Sequence, residues 1–517
     1  MSITPNLVIG VDIGTQSTKA VLVSADGRIV RQHAQAYQVE TPRPLWAQQW
    51  PQVWLDAVVA CVRGVMESTS AEDVRAICVS SLYGGSGIPV DATGEAIHPC
   101  LIWMDRRAQD EVEWLRANVD LERLFDITGN GVDSYYGYTK MLWLREKQPE
   151  VWQRTAQFLP PNSFVNARFT GEVAVDHSSA GNIGGVYDVA RRAWSDEALA
   201  MLGIPRSMMP ARLVESSGIV GGLLPEWAEK LRLPVGLPVV AGGVDAAVAT
   251  LAAGAAQPGN HVAMIGTSMC WGTIRQEVDA RHGLISMPHV FEGAKDLYVF
   301  GGAIAAGASV TWFRETFCQA EMAAAKATGG DPHALLERDA APLPPGSGGL
   351  LFLPYLMGER SPVWDAQASG CFLGLGLHHG RPALYRAVLE GVTYALRHNI
   401  EAGLRGAGRL DERLVVVGGA SHSDLWMQII ANVTGRPVYT LADDVEASLG
   451  AAMLAALGAG LITAEDVRRG WVQPVQRALP DAAAHAAYAA FYSEYVALYP
   501  ALKPAMHALR AASEFVE

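Results

Sequence analysis

The 517-residue chain is half hydrophobic, 18% charged, and carries a formal charge of −13. That is enough apolar material for a sizeable core and a length expected to form two large domains. The acidic balance argues against nucleic acid or an anionic membrane as the main partner, so an anionic substrate would need local amides, a lysine or a bound cation. The opening MSITPNLVIG has no basic segment before its apolar run, so no signal peptide is expected. Small-residue stretches such as 238–258 are interrupted before they reach a membrane-spanning length. The cysteines at 61, 78, 100, 270, 318 and 371 form no C-x-x-C pair, which points to reduced thiols in a cytoplasmic protein.

The first informative stretch is VIGVDIGTQSTKAVLV, residues 8–23. It is not a Walker A loop, because Lys19 follows Gly14 without the required G-x-x-x-x-G-K-[ST] and leads into a β-type run rather than a helix. No G-x-G-x-x-G opens a helix here either. The pattern predicts strand, tight turn, strand, a second turn at Asp26-Gly27, and a third strand. On the first strand Leu7, Ile9, Val11 and Ile13 share one face, and Gly10, Asp12 and Gly14 the other. Thr15, Gln16, Ser17 and Thr18 fall at the turn, where amides and hydroxyls can cup an anion. An ordinary hairpin ending in an Asp fits the same residues.

Further along, 50–68 predicts an amphipathic helix, 74–82 a strand, 105–119 a charged surface helix and 138–152 another helix. Residues 238–243 predict a strand ending in a glycine turn, and 245–256 a small-residue helix packed closely on its neighbours. HVAMIGTSMCWGTI, 261–274, then repeats the opening pattern about half a chain later. Two matched hairpins predict a duplicated architecture whose cleft offers phosphate-binding turns from both sides. A domain boundary is expected near Pro258-Gly259, giving domains 1–255 and 256–517. The second half predicts a strand and loop at 348–362, a long helix at 381–404, and strand, glycine turn and helix over 413–438. A second small-residue helix follows at 446–460, then an Ala-rich helical tail.

The paired hairpins resemble the actin-like (ribonuclease H-like) ATPase fold. Six blocks in order make the resemblance specific: DIGTQSTK, IWMDRRA (102–108), VAGGVDAA (240–247), MIGTS (264–268), LPYLMGERSPVWD (353–365) and VVGGASHSDLWMQIIANVTGRPV (416–438). Together they are similar to the FGGY family of carbohydrate kinases over nearly the whole chain, and closest to its xylulose kinase branch. The chain departs from that branch in carrying Leu82-Tyr83-Gly84 where Met-His-Gly is usual, and Asp245-Ala246 where Asp-Asn is usual. It also has Ala383 at a position that is usually polar.

The resemblance implies transfer of the ATP γ-phosphoryl group to a sugar hydroxyl, most simply that of a ketopentose such as xylulose. Another ketose, a polyol (glycerol, erythritol or a pentitol) or a signalling sugar derivative is the alternative. A more remote one is an actin- or Hsp70-like ATPase without sugar kinase activity. Asp245 is the expected general base, with a structural N-cap as the competing role; a helix N-terminus is expected to keep it ionised. Asp12 is the expected Mg2+ ligand. Gly14, Thr15, Ser17, Gly266, Thr267 and Ser268 are expected at the phosphates, and Gly418, Gly419 and Ala420 along the nucleotide. Lys19 is expected either over the phosphates or solvated on its strand. For the sugar, Leu82, Tyr83, Gly84, Asp105, Arg106 and Asp245 are expected, with Trp103 as pocket wall or core, and DRR otherwise a solvated helix start. A homodimer is left open as the assembly, with no nucleic-acid or membrane partner.

Overall fold

The computed structural model describes residues 6–277, 283–405, 409–441 and 447–514. The alternation in the opening segment produces the three expected strands, Leu7–Ile13, Ser17–Ser24 and Ile29–Ala36, joined antiparallel in sequence order. Their other edge continues in parallel through Val74–Ser81 and Pro238–Val240, and Ile219–Gly222 closes it antiparallel. The second hairpin seeds a sheet built by the same rule. His261–Ile265 pairs antiparallel with Met269–Arg275, which pairs antiparallel with Leu297–Gly301. On the other side Leu414–Val417 and Val438–Leu441 run parallel, and Pro474–Ala478 closes antiparallel. One further strand, Ile285–Pro288, extends the hairpin edge. Six strands thus recur in the same order and sense, the duplication that the two hairpins predicted and the arrangement of an actin-like fold.

Helix positions follow the apolar spacing closely. Pro51–Val65 buries Trp54, Leu55, Val58 and Val62 against the Leu7, Ile9, Val11 and Ile13 face of the first strand. Arg381–Leu404 occupies the span its sequence pattern predicted. The 138–152 stretch breaks into Gly137–Lys147 and Pro149–Arg154, because Pro149 cannot continue the first helix but suits the start of the next. The Ala-rich tail is helical over Ala482–Glu514. No helix among the described residues is long and apolar enough to cross a membrane.

The second face of the first strand is small for a reason the alternation did not reveal. Helix Ala447–Gly458, from the second half of the chain, lies directly on it. A Cβ at Gly10 would collide with the Ser448 carbonyl oxygen and the Ala452 nitrogen. The same helix crosses Asp245–Ala252 at Gly450, where a Cβ would collide with the Val248 carbonyl. Val8, Val248, Leu251, Ala452, Met453 and Ala456 share one buried cluster across these three elements. Close backbone approach here needs glycine, since no side chain fits between the main chains.

Replacing Gly450 by Leu should therefore destabilise the protein by roughly 1–3 kcal/mol or more through overpacking. Urea unfolding checks this: the midpoint falls if the crossing is as tight as described, and an unchanged midpoint contradicts it.

Candidate active site

Both hairpins open on one cavity of about 460 Å³. The first hairpin contributes Asp12, Gly14, Thr15, Ser17 and Lys19; the second contributes Met264, Ser268 and Cys270. Asp245 and Ala246 form part of the wall, and Ala447 joins from the crossing helix. These positions follow from the fold. Asp12 is at the end of the strand that Gly10 fixes, and Asp245 opens the helix that Gly450 fixes.

At the first hairpin, the Ser80 hydroxyl lies 3.0 Å from Asp12 Oδ1 and orients that carboxylate. Trp103 Nε1 donates to Thr15 Oγ1 (3.0 Å), so this indole belongs to the cavity wall and is tied to the turn of the first hairpin. Lys19 also lines the cavity rather than projecting only into solvent. Gly266 and Thr267 present their carbonyls to the start of helix Gly307–Phe317, accepting from Gly307, Ala306 and Ala308 N–H, while Ser268 faces the cavity. Gly418, Gly419 and Ala420 do not line the cavity. They form the turn after strand Leu414–Val417, beside Ile265, with Gly418 and Gly419 exposed and Ala420 buried.

Asp245 sits at the first position of its helix, accepting the Ala246 N–H at Oδ1 (2.7 Å). Burial pushes its carboxyl up to about 6 from the usual 3.8. Desolvation outweighs the stabilising helix N-terminus expected from the sequence, which leaves the group close to neutral pH instead of far below it. The turn before it is braced from behind. Ser178 Oγ accepts the Val244 N–H (3.1 Å) and donates to Asp176, and Asn162 Nδ2 bridges Asp176 Oδ2 (2.9 Å) and the Ala241 carbonyl (3.1 Å).

The predicted sugar residues divide. Tyr83 lines the cavity with its ring, but its hydroxyl accepts the Gly137 N–H (2.5 Å) and so is engaged by the backbone. Leu82 and Gly84 line a much smaller neighbouring void. Asp105 is fully buried away from the cavity. Its carboxylate accepts from Ala47 N–H (2.7 Å), Arg107 N–H (3.0 Å) and Arg107 Nε (2.8 Å). Arg107 in turn stacks on Trp46, 3.8 Å from the ring centroid, and Arg106 is paired with Asp133. DRR is therefore neither a solvated helix start nor a set of sugar ligands. A carboxylate followed by two arginines neutralises itself locally and supports the wall from behind.

Three cavity residues carried little or no individual signal. Arg360, inside the GERSP block, lines the cavity with its guanidinium 5.9 Å from the Trp103 ring centroid. Tyr135 packs 4.9 Å from Tyr83, with the buried Lys140 donating to its carbonyl (2.7 Å). Burial pulls that ammonium down to about 7. Asn182 also lines the cavity, and nothing in HSSAGN singles it out. Trp364, from the same loop as Arg360, stacks on Tyr136 of the first half at 6.2 Å and lies 6.1 Å from the cavity-lining Tyr135, so the two halves meet beside the cavity.

The comparisons with known proteins agree with this layout. The model for the N-terminal domain of the FGGY family of carbohydrate kinases matches residues 7–252, and that for its C-terminal domain matches 261–459. A xylulose kinase of Escherichia coli (strain K12) is 32% identical over 489 residues, spanning 93% of this chain and 96% of that protein. A gluconokinase of Bacillus licheniformis is 28% identical over 486 residues, 93% of each chain. The crystal structure of xylulose kinase from Rhodospirillum rubrum, 31% identical, covers 97% of this chain and 100% of its own with a TM-score of 0.87. With one family domain on each of the two matched sheets and both hairpins on the cavity between them, the chain belongs to the FGGY family of carbohydrate kinases.

Proposed function

We propose that the protein transfers the γ-phosphoryl group of ATP to a hydroxyl of a ketopentose such as xylulose, with Asp245 as general base. The observation that carries this reading is the single cavity with a phosphate-type hairpin on each side and a desolvated carboxylate in its wall. The xylulose kinase relatives support the ketopentose. The gluconokinase relative and the altered Leu82-Tyr83-Gly84 loop support a different acceptor, another ketose, a polyol or a signalling sugar derivative, as the second reading.

In this mechanism Thr15, Ser17 and Ser268 bind phosphate oxygens through hydroxyls and adjacent amides, while the exposed Gly418-Gly419 ledge lets the nucleotide lie against backbone. Lys19 and Arg360 offset the charge that develops on the transferred group. Asp245 accepts the proton of the attacking hydroxyl, a role worth roughly 10²–10⁴ in rate. Mg2+ fits the phosphate end, where Asp12, a hard oxygen donor oriented by Ser80, would hold it. When bound there it would neutralise the β- and γ-phosphates. The stacking of Trp364 on Tyr136 would help to keep water from the transferring group.

A coupled ADP-release screen over ketopentoses, ketohexoses, tetritols, pentitols and gluconate tests the reading. ADP release that depends on one acceptor supports it, and strong ATPase indifferent to every acceptor overturns it. Asp245→Asn should lower kcat by roughly 10²–10⁴ with little change in either KM. Because the base works ionised and its carboxyl stands at about 6, kcat/KM should fall about tenfold per unit below pH 6. Stability runs the other way. Between the usual 3.8 and about 6 the folded carboxyl holds a proton that the unfolded one has lost, so this group stabilises least above about pH 6. Asp245→Asn should accordingly match or exceed the wild-type Tm at pH 8, and a marked fall would contradict the account. Asp12→Ala should shift the Mg2+ dependence of turnover to higher concentration; an unchanged Mg2+ titration would remove Asp12 from the metal.

A further inference from the structure

Asn182 closes the short helix His177–Asn182, has no solvent exposure, and lines the cavity with Asp245 and Tyr135. Neither its Oδ1 nor its Nδ2 has a hydrogen-bond partner among the described residues. A buried amide with donor and acceptor both unmet is costly, and in a native fold it calls for an explanation. No intramolecular role supplies one. The cavity residues around the base, Val244, Ala246 and Ala249, carry no polar side chain, so Asn182 brings the amide to this part of the wall.

The position is also rigid. At the start of the helix Asp176 Oδ1 accepts the Ser179 N–H (2.9 Å), and Ser178 Oγ receives the Val244 N–H one residue before Asp245. Near its end, Gly181 packs so tightly that a Cβ would lie 2.5 Å from Pro288 Cδ in the second sheet. The frame that holds the base therefore also holds the unmet amide, as a recognition group requires.

We propose that Asn182 determines acceptor specificity. Its Nδ2 donates to one oxygen, and its Oδ1 accepts from a neighbouring hydroxyl, of an α-hydroxy ketone or vicinal diol whose reacting hydroxyl faces Asp245. This deepens the kinase reading above and rests on it. A site built to hydrogen-bond such a pair rejects acceptors that lack it, because the amide is then left unpaired.

The test uses Asn182→Ala and Asn182→Leu with the acceptor that the wild type turns over fastest among D-xylulose, D-ribulose, erythritol, xylitol and D-gluconate. The acceptor KM should rise tenfold or more, while the ATP KM stays within twofold. The Tm of each variant without ligand should equal or exceed that of the wild type, because a partnerless amide has been removed, and the acceptor-induced rise in Tm should vanish. An acceptor KM within twofold of wild type overturns the proposal. So does a fall in the ligand-free Tm, or a failure of both variants to fold, since either shows that the amide serves the fold. A wild type that phosphorylates none of the five acceptors overturns the kinase reading and this inference with it, whereas an active wild type with unaffected variants overturns this inference alone.

Discussion

The backbone contact between Gly10 and helix Ala447–Gly458 is the constraint from which the site follows. Three elements meet there without intervening side chains: the first strand, that helix, and Asp245–Ala252, which the helix crosses at Gly450. Each carries a cavity residue at the same end of the crossing, Asp12, Ala447 and Asp245 respectively. Small residues allow the main chains to approach, and dispersion attraction across a dry, close-packed junction holds them there. The two halves of the chain are thereby fixed with their hairpins facing one cavity. A larger residue at either glycine would act on catalysis through geometry, without touching the chemistry.

The electrostatics follow from the same packing. The chain is acidic overall, yet Lys19 and Arg360 are both placed on the cavity. Asp245 stands among apolar and aromatic neighbours, Val244, Tyr135 and Phe300, and that burial places its carboxyl near 6. A carboxylate in water would be a poorer base, and one more deeply desolvated would stay protonated at neutral pH. Behind it, Asp176, Asn162 and Ser178 hold the turn through hydrogen bonds that never reach the cavity. The cavity carboxylate and its supporting polar groups are thus separated by a single turn of backbone.

Much of this was legible in the sequence. Alternation and turn residues gave the hairpins, and their repetition gave the duplicated sheets, because strand periodicity survives whatever packs on top. Asp245, Asp12, Thr15, Ser17 and Lys19 were singled out by motif and spacing, and the fold brings all five to one cavity. Asp105 and Arg106 were misplaced because sequence shows a charge but not its partner. Only the fold reveals that Asp105 is consumed by Arg107 and Ala47, and Arg106 by Asp133. Asn182 was invisible for the converse reason, since an asparagine in a small polar run looks like any helix end until its amide is seen to lack partners. Alternation placed Gly10 on the small face of its strand but could not say why that face is small, since the constraint is a helix more than four hundred residues away in sequence.

The most direct test of the central claim is where the γ-phosphoryl group goes. Phosphorus NMR of the wild-type protein with Mg-ATP and the preferred acceptor follows it without a coupling enzyme. The account predicts a phosphomonoester resonance that grows at the rate of ADP formation, with little inorganic phosphate. Inorganic phosphate accumulating in step with ADP, whatever acceptor is present, would contradict it.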